Sequence, residues 1–95
     1  MRRIRISRVA RRDLLDIWTY IADSDIEAAD ALLDRIDALC GRLQDTPLLG
    51  RSRDELAPGI RSIPVARYMI YYRLSGSRLE VARVLHAARD LDLLF

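Results

Sequence analysis

Apolar and polar residues alternate along both halves of the segment from Arg67 to Asp90, and this pattern predicts a β-hairpin. The runs YMIYYRL and LEVARVL flank Ser75 and Gly76, and a glycine can adopt the positive φ that a two-residue hairpin turn requires. Such a turn fixes the cross-strand pairs on the face that we expect to be core: Tyr72 with Leu79, Ile70 with Val81 and Tyr68 with Arg83.

The opposite face of this predicted hairpin is largely polar. It carries Arg67, Tyr71, Arg73, Arg78 and Glu80, and His86 follows in phase if the second strand extends that far. Two interpretations are open. Antiparallel sheets commonly leave one face in solvent, so the polar side chains need no ligand to explain them. Alternatively, the face binds a partner.

The first half of the chain predicts a short strand and a helix. Ile4 and Ile6 alternate with arginines, as in a strand that turns both isoleucines inward. Ser7 is a suitable N-cap for a helix that continues to about Asp23. The apolar residues of this helix recur at the spacing of one helical face: Val9, Leu14, Ile17, Trp18 and Ile21.

A second helix is predicted to begin at a capping box formed by Ser24 and Glu27. Its apolar residues share one face: Ala29, Leu32, Leu33, Ile36, Leu39, Cys40 and Leu43. Pro47 ends it, because the residue before a proline is biased away from helical geometry. The two helices are therefore expected to form an antiparallel hairpin.

The segment 47–59 reads as a loop, in which Arg51, Arg53, Asp54 and Glu55 are expected to face solvent. The run IRSIPVA that follows predicts a strand. Its Pro64 has no N–H to donate, so this strand belongs at a sheet edge or a bulge. The resulting prediction is a single α+β domain over 1–95: an N-terminal strand, a helical hairpin and a three-stranded antiparallel sheet, packed in two layers and joined by the first strand.

Charge is segregated along the chain although the net charge is only +2. Residues 1–12 carry six arginines and no acid, whereas residues 13–45 carry nine acids and two arginines. Residues 46–89 carry eight arginines and three acids. We therefore expect an acidic helical layer against a basic sheet layer, so that partners of opposite charge approach different faces.

Composition excludes several classes of chemistry. The chain has no lysine, which rules out a lysine nucleophile or Schiff base. One cysteine and one histidine give no metal-ligand cluster, and no phosphate-binding glycine motif occurs, so we expect neither a metal nor a cofactor. Cys40 is expected to be a buried structural thiol. No stretch reaches the length of a membrane span or a signal peptide, and we expect a soluble, cytoplasmic protein.

Metal-independent RNA cleavage is the one reaction for which the chain has suitable side chains. Arginines would stabilise the charge of the phosphorane, and Glu80, His86 and Tyr71 are available for proton transfer. The alternative for His86 is a structural role, because a lone histidine near a strand end is often simply hydrogen bonded.

The sequence resembles the ParE branch of the RelE/ParE toxin superfamily. The resemblance lies in P-L-L-G-R, G-I-R-S-I-P-V and the hairpin ending in R-V-L-H-A-A-R-D, together with S-R-V-A-R-R-D-L-L-D-I-W-T-Y-I-A in the first helix. It implies a toxin of a bacterial type II system, neutralised by a co-encoded antitoxin with a ribbon-helix-helix DNA-binding part. Operator DNA would then be contacted only through the antitoxin.

The resemblance also implies a target. ParE-type toxins act on DNA gyrase, whereas RelE-type relatives cleave mRNA on the ribosome with basic residues and often a tyrosine or histidine. This chain has no lysine, and its tail DLDLLF has neither a tyrosine nor a base, which favours the gyrase inhibitor. If the chain is a nuclease, the candidate catalytic residues are His86, Arg61 and Glu80. A third alternative is an inactive relative that binds its antitoxin and tunes repression of their operon.

Two candidate surfaces follow from the charge pattern and the resemblance. The target-binding residues are predicted to be Arg67, Arg73, Arg78, Arg89 and His86, on the basic sheet face, with Arg61 nearby. The antitoxin is predicted to cover the acidic helical hairpin and the adjoining sheet, with Trp18, Tyr20 and Ile21 as anchors or, for Trp18, as core.

Overall fold

The structure is a computed structural model that describes residues 3–88. Its elements follow one another in this order: β1 (Arg3–Ile6), α1 (Arg8–Ala22), α2 (Ile26–Asp45), β2 (Arg51–Ser52), β3 (Ile60–Val65), β4 (Tyr68–Ser75) and β5 (Arg78–His86). The candidate residue Arg89, the end of the predicted hairpin at Asp90 and the tail DLDLLF lie outside the described residues.

The five strands form one sheet in the order β1-β5-β4-β3-β2. β1 pairs with β5 in parallel, and the other neighbours are antiparallel. The predicted α+β fold is confirmed, including the N-terminal strand that joins the sheet. β2 pairs with β3 at Arg61 and Ser62, and within residues 3–88 no strand pairs with Pro64 on that side, so Pro64 does stand at an edge.

The short strand β2 was not predicted, and a tyrosine explains why the chain is extended there. The buried Tyr72 hydroxyl accepts the Gly50 N–H at 2.8 Å and donates to the Pro47 carbonyl at 2.8 Å. Gly50 is required at this point, because a Cβ would lie 2.6 Å from the Tyr72 hydroxyl oxygen. The phenol thus holds the segment after α2 against the sheet.

The helix starts are set by polar side chains. Ser7 is the N-cap of α1, as predicted, and its hydroxyl accepts the Ala10 N–H. The predicted capping box of α2 is wrong: Asp25 is the N-cap, and its carboxylate accepts the Ala28 N–H at 3.0 Å. Asp25, one residue after Ser24, is an equally good N-cap residue, and the spacing of residues in the sequence does not distinguish the two.

Both helices pack on one face of the sheet, where the main core lies. The predicted α2 stripe is confirmed, with Leu33 and Leu39 half-buried at its margins. The α1 stripe is wrong at its start, since Val9 is half exposed and Ala10 is buried. The sheet contributes Val65, Ile70, Tyr72, Leu79, Val81 and Val84 to this core.

The hairpin register differs from the prediction in two ways. The turn residues are Gly76 and Ser77, so Leu74 pairs with Leu79 and Tyr72 with Val81. This shift keeps the predicted faces because it moves the pairing by two positions. A β-bulge then leaves Ala82 without a Cα partner, and beyond it β5 is shifted by one further position relative to β4.

The bulge exchanges the faces of β5. Val84, opposite Ile70, lies in the main core, and Leu85, opposite Met69, lies on the outer face. His86 pairs with Tyr68 instead of continuing the polar face. The expected alternation therefore holds for the turn end of β5 and fails for its other end.

The outer face of the sheet carries a second apolar cluster, which corrects the expectation of a polar face. Buried Ile60, Tyr71 and Leu85 form its centre. The segment after β2 lies against it, and the Arg53 guanidinium is 5.8 Å from the Tyr71 ring centroid. Arg53 was expected in solvent, yet its side chain is only 18% exposed.

Candidate functional site

A groove opens where the second half of α1, the first half of α2 and the ends of β3, β4 and β5 meet. Its volume is about 760 Å³. The apolar part of its lining comes mainly from Ile17, Tyr20, Ile21, Leu32, Tyr68 and Val84. Such a concave apolar surface is suited to the side chains of a partner.

The three antitoxin anchors predicted from sequence lie in different surroundings: two line the groove and one lies between the helices. Tyr20 and Ile21 line the groove, and Tyr20 is 79% exposed. Trp18 lies beside it, half-buried between the helices, and its Nε1–H donates to an Asp30 carboxylate oxygen at 2.9 Å. Trp18 therefore joins α1 to α2, whereas Tyr20 presents an aromatic ring to any partner in the groove.

The rim of the groove is charged on both sides. Asp13 and Asp16 come from α1, while Arg35 comes from α2 and Arg67 from the turn before β4. Asp13 is already engaged: Arg83 donates to both of its carboxylate oxygens, at 2.8 and 2.9 Å. These hydrogen bonds raise the pKa of the Arg83 guanidinium. The rim can thus take a partner that carries charges of both signs.

Asp13 also fixes the edge of β5. Its carboxylate accepts the Val84 N–H at 3.1 Å, where β1 has already ended. Ser7 holds the same edge of β5 at the bulge, where its hydroxyl donates to the Ala82 carbonyl at 2.9 Å. On the side away from β4, where β1 no longer reaches, the bulged part of β5 is therefore held by Ser7 and Asp13.

The turn at the edge of the groove is strained. Ala66, between β3 and β4, has a φ of 53°, which is unfavourable for a residue with a Cβ. Arg67 follows it in the turn, and its carbonyl accepts the Ala87 N–H at 2.9 Å. The strained turn thus determines where Arg67 stands on the rim.

His86 stands at the groove and not on the basic sheet face. Its ring meets that of Tyr68 edge to face, with 5.5 Å between the centroids, and its Nδ1 accepts the Ala88 N–H at 3.2 Å. The bulge at Ala82 is the physical reason, because one extra residue turns every later side chain of β5 to the other face. Sequence alternation gave no sign of it.

A second concave site lies on the outer face at the turn end of the hairpin. We call it the basic corner; it consists of Arg5, Arg73, Ser75, Arg78 and Glu80, around a volume of about 240 Å³. Arg5 Nε lies 3.7 Å from a Glu80 carboxylate oxygen. Arg5 was not among the predicted site residues, although its alternation with Ile4 and Ile6 placed it on the solvent side of β1.

The four predicted target-binding residues that the structure describes do not form one cluster. Arg73 and Arg78 meet in the basic corner, whereas Arg67 and His86 lie at the groove. Arg61, expected near the basic face, lies on the other side of β3, where its guanidinium donates to the Gly50 carbonyl at 2.7 and 3.0 Å. Arg61 therefore braces the segment before β2.

The three candidate nuclease residues are also apart. Glu80 is in the basic corner, His86 is at the groove and Arg61 is bonded to backbone carbonyls. Along β5, Glu80 and His86 are separated by on the order of 18 Å, given the rise per residue of a strand. Proton transfer between groups in contact with one phosphate needs a much shorter separation.

Cys40 is a buried thiol, as predicted, and burial raises its pKa to about 11. A thiol with so high a pKa is a poor nucleophile at neutral pH. Residues 3–88 contain no group of histidine, cysteine and carboxylate side chains that could hold a metal ion. Neither helix in this part of the chain is long and apolar enough to cross a membrane.

The fold defines the class of protein. A chain from the chromosomal ParDE toxin–antitoxin system from P. aeruginosa has a TM-score of 0.75 at 22% identity, covering 90% of this chain and 96% of that one. A chain of the toxin–antitoxin complex RelBE2 from Mycobacterium tuberculosis has a TM-score of 0.59 at 29% identity, with the same coverage. The protein has the RelE/ParE-like toxin fold.

Sequence comparison then gives the family. The family model described as the ParE toxin of type II toxin–antitoxin system, parDE, matches residues 4–91. Toxin ParE3 from Caulobacter vibrioides is 32% identical over 92 residues, which cover 96% of this chain and 92% of that protein. Toxin RelE1 from the same organism is 32% identical over 85 residues, covering 85% and 88%. The chain belongs to the ParE family of type II toxin–antitoxin toxins, and the resemblance noted in the sequence is confirmed.

Proposed function

We propose that this ParE-family toxin inhibits DNA gyrase by binding, without catalysing a reaction, and that it thereby blocks replication in the bacterial cytoplasm. The match of the ParE family model over residues 4–91 carries the proposal. The separation of Glu80 from His86 supports a binding mechanism over cleavage, because these two candidate proton-transfer groups lie in different sites and cannot both act on one phosphate.

The target is contacted mainly by the basic corner in this proposal. Arg73 and Arg78 are exposed on the outer face of the sheet, away from the acidic helical layer. Arg67 and His86, which line the groove, would supply a second target contact, and Arg89 completes the predicted target-binding set. Guanidinium groups bind carboxylates and phosphates bidentately, so both an acidic gyrase surface and gyrase-bound DNA are suitable ligands.

The antitoxin covers the groove. An apolar segment of a co-encoded antitoxin would bury Tyr20 and Ile21, whose side chains line an open concave surface. Aromatic residues in such positions commonly supply most of an interface's binding energy. The antitoxin's DNA-binding part is proposed to be of the ribbon-helix-helix type, so that the hetero-oligomer reaches operator DNA only through the antitoxin.

A supercoiling assay with purified toxin and gyrase tests the proposal. We expect inhibition that rises with toxin concentration and disappears when the antitoxin is added in excess. The double variant Arg73→Gln/Arg78→Gln should inhibit less than the wild type. Undiminished supercoiling at saturating wild-type toxin would rule out gyrase as the target.

Ribosome-dependent mRNA cleavage is the second candidate function. The relative named RelE1 favours it, since this chain is 32% identical to that protein over 85 residues. In this alternative His86, Arg61 and Glu80 are the catalytic residues. Cleavage of mRNA at discrete sites on purified ribosomes, lost in His86→Ala, would establish the nuclease and refute the binding mechanism.

The third candidate is an inactive relative that only binds its antitoxin and adjusts repression of their operon. Growth after induction of the toxin alone separates this candidate from both active ones. Arrested growth would exclude it, whereas normal growth with a folded, antitoxin-binding protein would support it.

A further inference from the structure

The basic corner gathers three arginines around one carboxylate. Arg5 comes from β1, Arg78 and Glu80 from β5, and Arg73 from β4. With all three guanidiniums charged and Glu80 ionised, the corner carries two net positive charges. Because like charges repel, an anion lying between the three guanidiniums would stabilise this arrangement.

The sheet keeps the four charged side chains in register. Glu80 is the pairing partner of Arg5 on one side and of Arg73 on the other, and Arg78 stands opposite Ser75 in the next outward-facing row. Adjacent strands are about 4.8 Å apart, so neighbouring side chains on one face are within reach of a single small anion. The site is thus built on three strands and not on a mobile loop.

Two of these arginines are not neutralised by any acid in the described part of the chain. Within residues 3–88, Arg5 has an ion pair with Glu80, whereas neither Arg73 nor Arg78 has one. Other arginines of the chain are engaged differently: Arg83 is held by Asp13, and Arg12 lies 3.6 Å from Asp16. The basic corner is set apart from these pairs because three arginines line one concave surface beside a single carboxylate.

We infer that the basic corner binds phosphate groups of a nucleic-acid backbone, without regard to base sequence. This deepens the proposed function, because it rests on the target-binding role of Arg73 and Arg78 and specifies the chemical group that they contact. Arginine forks match phosphate oxygens bidentately, and phosphate contacts position a protein without reading sequence.

Charge density and shape favour a nucleic-acid backbone over an acidic protein patch. DNA carries one charge per about 1.7 Å of its axis, and binding gains free energy from the release of condensed counterions. Carboxylates on a protein stand on side chains that must be ordered on binding. The acidic residues of the helices lie on the opposite face of the sheet, about 10 Å or more from the basic corner. At that distance physiological salt screens much of their repulsion of a DNA backbone.

The salt dependence of DNA binding tests this inference. The probe is a short fluorescent DNA duplex of mixed sequence, titrated with the full-length toxin alone, without gyrase, over a range of salt concentrations. The test variant is Arg73→Gln/Arg78→Gln. Its charge-matched control is Arg12→Gln/Arg42→Gln, which removes two exposed arginines from the helical layer. Sodium polyglutamate serves as a carboxylate polyanion in a parallel titration.

For the wild type we expect the logarithm of the DNA affinity to fall linearly with the logarithm of salt concentration. In the test variant, the loss of two phosphate contacts should reduce the magnitude of that slope by about 1.8. The factor by which the DNA affinity falls between about 50 and about 200 mM salt should therefore be about twelvefold smaller than in the wild type. The control variant should keep the wild-type slope, and polyglutamate should bind more weakly than the duplex.

Equal slopes in the wild type and the test variant would overturn the inference. Equal decreases of the slope in the test and control variants would overturn it as well. Polyglutamate binding as tight as DNA binding, and equally sensitive to the test variant, would overturn it in favour of an acidic protein partner. Gyrase supercoiling is measured separately with wild-type toxin. A failure there refutes the proposed target, whereas the slopes alone decide whether the corner binds phosphate.

Discussion

The two ends of the β4–β5 hairpin are built from the same pair of strands but differ in chemistry. At the turn end, Leu74 pairs with Leu79 and Arg73 with Glu80, so apolar and charged side chains keep to opposite faces. At the groove end, past the bulge at Ala82, the faces of β5 are exchanged. One inserted residue therefore gives one hairpin two unlike surfaces.

The two ends also differ in what holds them. At the groove end, Arg83 and Asp13 form a bidentate pair whose side chains are 19% and 11% exposed. At the turn end, Arg5 and Glu80 are 67% and 37% exposed and 3.7 Å apart. Removing one partner of a largely buried pair leaves the other charge uncompensated and is strongly destabilising, whereas exposed pairs contribute little. The Arg83–Asp13 pair at the groove end is thus structural, whereas Arg73 and Arg78 of the basic corner are available to a ligand.

The largest expected effect is that of Asp13→Ala on folding. This change leaves the Arg83 guanidinium and the Val84 N–H without their acceptor, and we expect a loss of about 3 kcal/mol in the free energy of unfolding. Urea denaturation measures it. Asp16→Ala, on the same helix but paired in solvent, should change the free energy by less than about 0.5 kcal/mol. Equal effects of the two changes would mean that the groove end is not held by this pair.

Removing the exposed aromatic ring at the groove should weaken antitoxin binding. For Tyr20→Ala we expect the Kd to rise about thirtyfold, corresponding to about 2 kcal/mol for an interface anchor. The free energy of unfolding should hardly change, since Tyr20 is 79% exposed. Isothermal titration with the cognate antitoxin measures the affinity.

Leu15→Ala is the matched control for the groove, because Leu15 is 58% exposed on the same helix and does not line the groove. It should leave the Kd unchanged. If Leu15→Ala weakens binding as much as Tyr20→Ala, the antitoxin covers the outside of α1 instead of the groove.

The two hairpin turns should respond to opposite substitutions. Ala66→Gly removes the strain of a Cβ at a φ of 53°, and we expect it to stabilise the fold by about 0.5 kcal/mol after the entropy of the unfolded chain is counted. Gly76→Ala introduces such strain at a φ of 61° and should cost about 1 kcal/mol. Thermal unfolding of both variants measures the difference, and a common sign would contradict this account of the turns.

The smallest expected change in stability comes from the carboxylate of the basic corner. Glu80→Gln removes an exposed ion pair, and the free energy of unfolding should change by less than about 0.5 kcal/mol. The same variant should bind the DNA duplex more tightly than the wild type, because it removes the corner's one negative charge. Weaker DNA binding would contradict this expectation. It would show that Glu80 favours DNA binding by positioning Arg5 more than it disfavours binding by repelling the phosphate.

The layers and most of the core could be predicted because hydrophobic spacing determines them. The α2 stripe recurs at helical spacing, and Tyr72, Leu74, Leu79 and Val81 alternate as strands do, so each pattern indicates its own buried face. The predicted register was wrong by two positions without changing these faces, since side chains in a strand repeat every second residue.

The rest depended on single contacts that leave no periodic trace in the sequence. The Asp13 carboxylate at the edge of β5 and the Tyr72 hydroxyl at Gly50 each join residues far apart in the chain, and the bulge at Ala82 interrupts the alternation of β5. The bulge is why His86 was assigned to the wrong face, and the parallel pairing of β1 with β5, which brings Arg5 beside Glu80, was not predicted. Tyr71 was expected in a polar face, although an aromatic side chain with flanking apolar residues is also the pattern of a second cluster.

The central claim is that the basic corner acts on the target while the groove binds the antitoxin. The most direct test is Arg73→Glu/Arg78→Glu, measured for growth inhibition on induction and for antitoxin affinity with the purified protein. We predict that growth inhibition is abolished while the antitoxin Kd and the melting temperature stay near wild type, because exposed charges contribute little to folding. A variant that remains fully toxic, or that loses antitoxin binding along with toxicity, would contradict the division of the molecule into these two surfaces.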